Sequence, residues 1–219
     1  MQFTEEYFKG FKYSKRELLI KRHALETLKW ASKFSKFELL NGQGKTALDI
    51  GCAYGYAVDI LSSLGYDVYG VDISKYGVKK AKKLFSADFL ISDVQKGLPF
   101  KNNSFDLITC FEVLEHLTNP LLAIRDMFAL CRGIIVCTTP NRFVEKPIKM
   151  TVRDFDRTHV YVRTEGEWRK YIEKLNSAFF KIEAFFDASL RVRDKLLFKS
   201  FRIPYFGLDL RILIKKYGD

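Results

Sequence analysis

Of the side chains in this chain, its three histidines are the ones that titrate near neutral pH without help, and two of them stand where chemistry is done. His116 closes the run Glu112-Val-Leu-Glu-His116, directly after a β-like stretch that ends at Phe111. His159 lies in Arg157-Thr-His159-Val-Tyr-Val, in a charged segment further along. An imidazole at either place can take a proton from a hydroxyl or amine as that group attacks an electrophile. His23 shares a helical face with Leu19, Leu28 and Trp30, the setting of a core or interface histidine. A second set is acidic. Asp49, Asp72 and Asp93 each fall at the end of an apolar run, as in Tyr69-Gly-Val-Asp72 and Phe89-Leu-Ile-Ser-Asp93. A carboxylate so placed accepts both hydroxyl protons of a ribose, so the three describe a nucleoside pocket.

What must position them is a strand, a glycine turn and a helix. In Leu48-Asp-Ile-Gly-Cys-Ala-Tyr-Gly-Tyr56, Gly51 can take the bend at the strand end and Gly55 lets the next helix approach closely. The spacing Gly51-x-x-x-Gly55, with Ala53 between, is not the G-x-G-x-x-G of a dinucleotide cofactor. Around this turn the hydrophobic period alternates between two and 3.6. Strands are predicted over 45–51, 66–71, 88–92, 104–111 and 131–138, and helices over 55–64, 74–85 and 118–130. Such alternation means a parallel sheet covered on both faces. A helix is predicted over 14–40, broken by Asn41-Gly-Gln-Gly44. Beyond Pro140 the pattern changes: 141–163 reads as a charged loop, 164–176 as a helix, and 178–187 and 207–217 as strands.

Taken together, Leu48-Asp-Ile-Gly-Cys-Ala-Tyr-Gly55, Gly70-Val-Asp-Ile-Ser74, Asp93-Val-Gln-Lys-Gly-Leu-Pro-Phe100, Asn103-Ser-Phe-Asp-Leu-Ile108 and Phe111-Glu-Val-Leu-Glu-His-Leu117 resemble the core of class I S-adenosylmethionine (SAM)-dependent methyltransferases. The resemblance implies an α/β Rossmann-like fold, its seven-stranded sheet mostly parallel and closed by an antiparallel C-terminal hairpin formed by 178–187 and 207–217. It also implies SAM as cofactor. Asp49, Gly51, Cys52 and Gly55 would line its methionine end, and Asp72 would bind the ribose hydroxyls with Ile73 on the adenine. Asp93 would accept from the adenine amino group with Val94 beside it, and Phe111 would support the cofactor near its sulfonium. The family pattern carries Gly where this chain has Ala53. The same carboxylates can also serve simply as helix caps or turn residues.

Glu115, His116 and His159 are the candidate catalytic residues. E-x-x-E-H with a distant histidine is similar to the metal set of small-RNA 3′-terminal 2′-O-methyltransferases and of quinone-pathway O-methyltransferases. That likeness implies a divalent cation such as Mg on Glu112, Glu115, His116 and His159, able to bind two acceptor oxygens and lower a hydroxyl pKa. A metal-free histidine base and a purely structural Glu-His pair are the other two readings.

The chain has 219 residues, 47% hydrophobic, enough for one well-buried domain: a lid over 1–44, a SAM-binding core over 45–141 and an acceptor-side part over 142–219. Residues 46–141 hold 9 Lys/Arg against 10 Asp/Glu, so the flanks carry the whole net charge of +11. A basic flank suits an anionic acceptor, a nucleic acid included, or a membrane surface; it also suits a merely solubilising surface. The segment 191–206 interleaves bases with aromatics, as nucleobase stacking or a lipid surface would require. No run reaches the length of a membrane helix, the start lacks a signal-peptide pattern, and Cys52, Cys110, Cys131 and Cys137 form no C-x-x-C pair. The expectation is a cytoplasmic methyltransferase of an O or N acceptor, small or lipid-like. An RNA methyltransferase and a non-catalytic SAM-binding module are the alternatives.

Overall fold

The structure is a computed structural model, and it describes residues 3–151, 156, 158–175, 178–192 and 195–216. Five strands come first: β1 (Thr46–Ile50), β2 (Asp67–Asp72), β3 (Asp88–Ile91), β4 (Phe105–Phe111) and β5 (Cys131–Pro140). All pair in parallel in the order β3-β2-β1-β4-β5. Their crossovers contain α3 (Tyr56–Ser63), α4 (Lys75–Leu84) and α5 (Pro120–Leu130), and they follow α1 (Glu5–Gly10) and α2 (Glu17–Ser35). Strand alternation splits the core between the two faces. Leu48, Ile50, Ile108, Cys110, Ile135 and Cys137 pack on one side, and Ala47, Leu107, Ile134 and Val136 on the other. The four cysteines are free and buried, as small apolar side chains are in such strands.

The C-terminal part differs from expectation. The sheet has eight strands, not seven, because β6 (Ala178–Val192) runs on past residue 187 into β7 (Lys195–Arg202). The last strand, β8 (Asp209–Lys216), inserts between β5 and β6 and is antiparallel to both. The basic-aromatic segment is thus largely an edge strand. Leu196, Phe198 and Ser200 are half-buried, while Leu197, Lys199 and Phe201 are exposed. That period of two was present in the sequence but hidden by the charges.

Two helical corrections matter for the site. Residues 142–151 form α6 (Arg142–Thr151) within the segment expected as a charged loop, with Pro147 inside the helix. Asn141 starts it by accepting from the Phe143 N–H at 3.2 Å. At the other end of the chain, α2 stops at Ser35 rather than near residue 40, where Lys36 turns into the left-handed region at φ 57°. The short α1 ahead of it is held by packing: the Phe8 ring lies 4.9 Å from Tyr54, and Tyr13 stacks on Tyr56 at 5.7 Å. The predicted 164–176 helix is α7 (Glu165–Ile172), opened by a reciprocal Thr164–Glu167 capping box and followed by a 3₁₀ turn over Glu173–Leu175. Among the described residues no helix is long and apolar enough to cross a membrane.

Candidate active site

The donor side is built by the turn after β1. Gly51 and Cys52 both donate backbone N–H groups to the Val71 carbonyl, at 2.8 and 3.0 Å, which ties the turn to β2. Gly51 has φ +75°, and a Cβ there would stand 2.1 Å from Val113 Cγ2, so both conformation and space require glycine. Gly55, at φ +82°, caps α3. Ala53 also lies in the left-handed region, at φ +47°, which explains why the family pattern carries Gly there. The alanine holds that conformation at a cost of about 1–2 kcal/mol. The compensating contact is its N–H, which donates to Asp72 Oδ2 at 2.8 Å.

Asp72 therefore organises the turn. Its Oδ1 accepts from the Ser74 N–H at 2.7 Å, and each oxygen keeps a lone pair for a ligand hydroxyl. Asp49 is buried and accepts from Thr109 Oγ1 at 2.7 Å. Burial pushes its carboxyl up to about 7; the Thr109 bond opposes the rise, and the charge of Asp72 adds to it. Asp93 caps the 3₁₀ turn after β3 by accepting from the Gln95 N–H at 3.0 Å, with Val94 buried beside it. Ile73 is 51% exposed, an apolar surface next to Asp72. Phe111 ends β4, with the His23 ring edge-on at 6.0 Å. His23 itself is satisfied, with Nδ1 2.8 Å from Asp187 Oδ2 and Nε2 3.3 Å from Thr138 Oγ1.

The raised Asp49 carboxyl gives a pH signature. A folded value near 7 against an ordinary 3.8 means the folded state holds a proton that the unfolded state has lost. Its stabilising contribution is complete below the ordinary value and disappears as pH rises towards 7. His116 works oppositely below 6.5, so the quantity to measure is a difference. Thermal melts of ligand-free wild type minus Asp49→Asn should fall steadily from pH 4 to pH 7. A flat difference would refute the assignment.

The acceptor side forms where the segment after α6 folds back over the ends of β4 and β5. Glu115, His116 and His159 each bring one ligand atom within 4.8 Å of the others. Glu112, expected as a fourth member, is not in that group. Its backbone turns at φ +54°, and its Oε1 is buried without a hydrogen-bond partner among the described residues. Glu115 is fully buried: Oε2 accepts from Thr139 Oγ1 at 3.2 Å, while Oε1 has no such partner among the described residues. Burial pushes the Glu115 carboxyl up to about 8, and burial plus the Glu115 charge push Glu112 well above its usual range. Burial, with His159 beside it, pushes His116 down to about 4. The two imidazole centroids are 4.9 Å apart.

Several neighbours were absent from the sequence reading. Glu145 of α6 places Oε1 3.2 Å from His159 Nδ1. Asp156 stands 3.7 Å from His159 Nε2, and Thr158 Oγ1 lies 2.7 Å from His116 Nδ1. Asp209, at the start of β8, adds a buried carboxyl pushed up to about 8 by burial and then by the charge of Glu112. Glu145 was the findable one, since it lies a helical turn past Asn141; the others depend on chain return. Beside the cluster a cavity of ≈ 320 Å³ is lined by Arg142, Glu145, His159, Tyr161 and Arg163, among others. Among the described residues Glu115 Oε1 is a buried carboxyl oxygen without a hydrogen-bond partner beside two imidazoles, and carboxyl and imidazole groups are ligand types that a divalent cation takes.

The glycine turn and the carboxylates around it lie at the carboxyl ends of a parallel sheet, where open α/β sheets bind their ligands. A family model described as a methyltransferase domain matches residues 22–179, and the chain belongs to the class I SAM-dependent methyltransferases. A ubiquinone biosynthesis O-methyltransferase of Xanthomonas campestris is 31% identical over 106 residues, 45% of this chain and 44% of that protein. The chain thus spans about half the length of the curated relatives it matches. Among solved structures, a SAM-dependent methyltransferase from Archaeoglobus fulgidus superposes with a TM-score of 0.72 at 19% identity, over 96% of this chain and 100% of that one. Magnesium protoporphyrin IX methyltransferase from Synechocystis, solved with bound SAH, does so with 0.66 at 18%, over 97% of each. At such identities the structures establish the fold.

Proposed function

We propose that the enzyme methylates a hydroxyl of a small acceptor bearing two neighbouring oxygens and an anionic group. The observation that carries this reading is the convergence of Glu115, His116 and His159 beside an open cavity. SAM supplies an electrophilic methyl on a sulfonium, which moves to the acceptor oxygen. The protein's task is to align that oxygen and to accept its proton into an electron-rich cluster. Glu145 orients the His159 ring through Nδ1, and burial strengthens every charge interaction around it. A divalent cation such as Mg would be held by Glu115, His116 and His159 and would supply Lewis acidity to the paired acceptor oxygens. Arg142 and Arg163 share the single Glu167 Oε1, at 2.6 and 3.3 Å, leaving positive charge at the cavity wall for an anionic substituent.

A nucleic-acid acceptor shares part of this chemistry, because a 3′-terminal ribose also offers two neighbouring hydroxyls and the flanks are basic. The test incubates purified protein with SAM, magnesium and three probes: 3,4-dihydroxybenzoate, benzylamine, and an RNA oligonucleotide with a free 3′ end. Methylation of the dihydroxybenzoate at oxygen is the expected result. Methylation of RNA, with retention that weakens steeply as salt rises, would transfer the reading to a nucleic acid. Methylation of the amine alone would refute both.

A further inference from the structure

One chain of short hydrogen bonds runs from the N-terminal helix to His116 and belongs to none of the motifs in the sequence. Tyr7 of α1 donates its hydroxyl to Asp156 Oδ2 at 3.0 Å. Asp156 Oδ1 accepts the Thr158 N–H at 2.8 Å and lies 2.6 Å from Thr158 Oγ1. That same Oγ1 is 2.7 Å from His116 Nδ1. A threonine hydroxyl has one proton, and an ionised carboxylate has none to give. Two oxygens 2.6 Å apart with no proton between them would repel, so the Thr158 proton points at Asp156. Thr158 Oγ1 can then only accept from the imidazole.

We infer that Thr158 and Asp156 are positioning residues that fix the tautomer of His116, with hydrogen on Nδ1 and the lone pair of Nε2 turned towards Glu115 and His159. Nε2 lies 3.8 Å from Glu115 Oε1, the carboxylate oxygen without a hydrogen-bond partner among the described residues. The opposite tautomer would put an N–H there and leave two acceptors, Nδ1 and Thr158 Oγ1, facing each other at 2.7 Å. Asp156 accepts at both oxygens, from Thr158 at Oδ1 and from Tyr7 at Oδ2, so it is the acceptor at the end of this chain. The ring also has a packing partner, since Phe3 meets it edge-on with centroids 5.3 Å apart.

The N-terminal segment joins this arrangement to the donor pocket. Ser74 Oγ donates to the Phe3 carbonyl, while the Ser74 N–H bonds Asp72. Residues 3–8 therefore contact the ribose-side turn and the carboxylate that sets His116. The same short segment closes over both halves of the site.

The inference rests on reading His116 as an acceptor-side group, and its test separates the two. Full-length protein labelled with ¹⁵N at its three histidines is examined by long-range ¹H–¹⁵N correlation at pH 8, with His116 assigned by its loss in His116→Gln. The expected pattern for His116 is a protonated Nδ1 and an unprotonated Nε2. Thr158→Val should release that pattern and lower methyl transfer roughly 10–100-fold with SAM affinity unchanged, and Thr158→Ser should restore both. A wild-type Nε2–H tautomer, or a pattern unmoved by Thr158→Val, overturns the inference. If the tautomer shifts as expected while methyl transfer does not change, the inference stands and the acceptor-side role of His116 fails.

Discussion

His159→Ala is expected to lower methyl transfer by about 10²–10⁴-fold while leaving SAM binding at its wild-type affinity. The ring is held between Glu145 at 3.2 Å and Asp156 at 3.7 Å, and it lines the cavity, away from the β1 turn that carries the donor pocket. Removing it takes one member from the Glu115–His116–His159 group without disturbing Asp72 or the turn. Calorimetric titration with SAM and a turnover assay on the same preparation make the comparison. Equal loss of binding and turnover would show a structural role instead. EDTA then separates the two chemistries of the cluster. If a cation is required, EDTA should match the His159→Ala defect, and added magnesium should reverse it in wild type only. Full turnover in EDTA would leave a metal-free base as the role of these histidines.

Asp72→Ala should be the most damaging change on the donor side. It strips the acceptors from two buried backbone N–H groups, those of Ala53 and Ser74, each costing about 1–3 kcal/mol when left unpaired. The loss falls on a turn already strained at Ala53, where φ is +47°. We expect a melting temperature lower by roughly 4–24 °C, at some 2–4 °C per kcal/mol for a chain of this size. SAM binding should be lost with it. Asp72→Asn is the control, since its amide oxygen can keep one of the two backbone bonds but cannot accept at both positions. It should therefore recover part of the stability and little of the SAM affinity. An alanine variant that binds SAM like wild type would remove Asp72 from the pocket.

The order of strands and helices, the glycine turn and the carboxylates at strand ends were all legible, because each depends on neighbours in sequence. Hydrophobic period reports a strand or helix locally, and a positive φ at Gly51 or Gly55 follows from a bend only a few residues long. The same local logic gave the buried cysteines. It was weakest where charge hid the period, at β7, and where a proline interrupted it, at α6.

The acceptor side was decided by the tertiary structure. Tyr7 and Asp156 are 149 residues apart in the chain and meet by a hydrogen bond. His116 and Thr158 meet across 42. No period or spacing encodes such pairs, since they exist only when Asp156 and residues 158–163 return over the ends of β4 and β5 and meet α1. The family resemblance implied four ligands. The fold gathers three of them, turns Glu112 aside through a left-handed backbone, and brings Glu145 to His159 in its place. The sequence alone determined the glycine turn and the strand-end carboxylates proposed to hold the methyl donor. The folded chain decided what surrounds the acceptor, because long-range packing, not local propensity, sets the distances between charges.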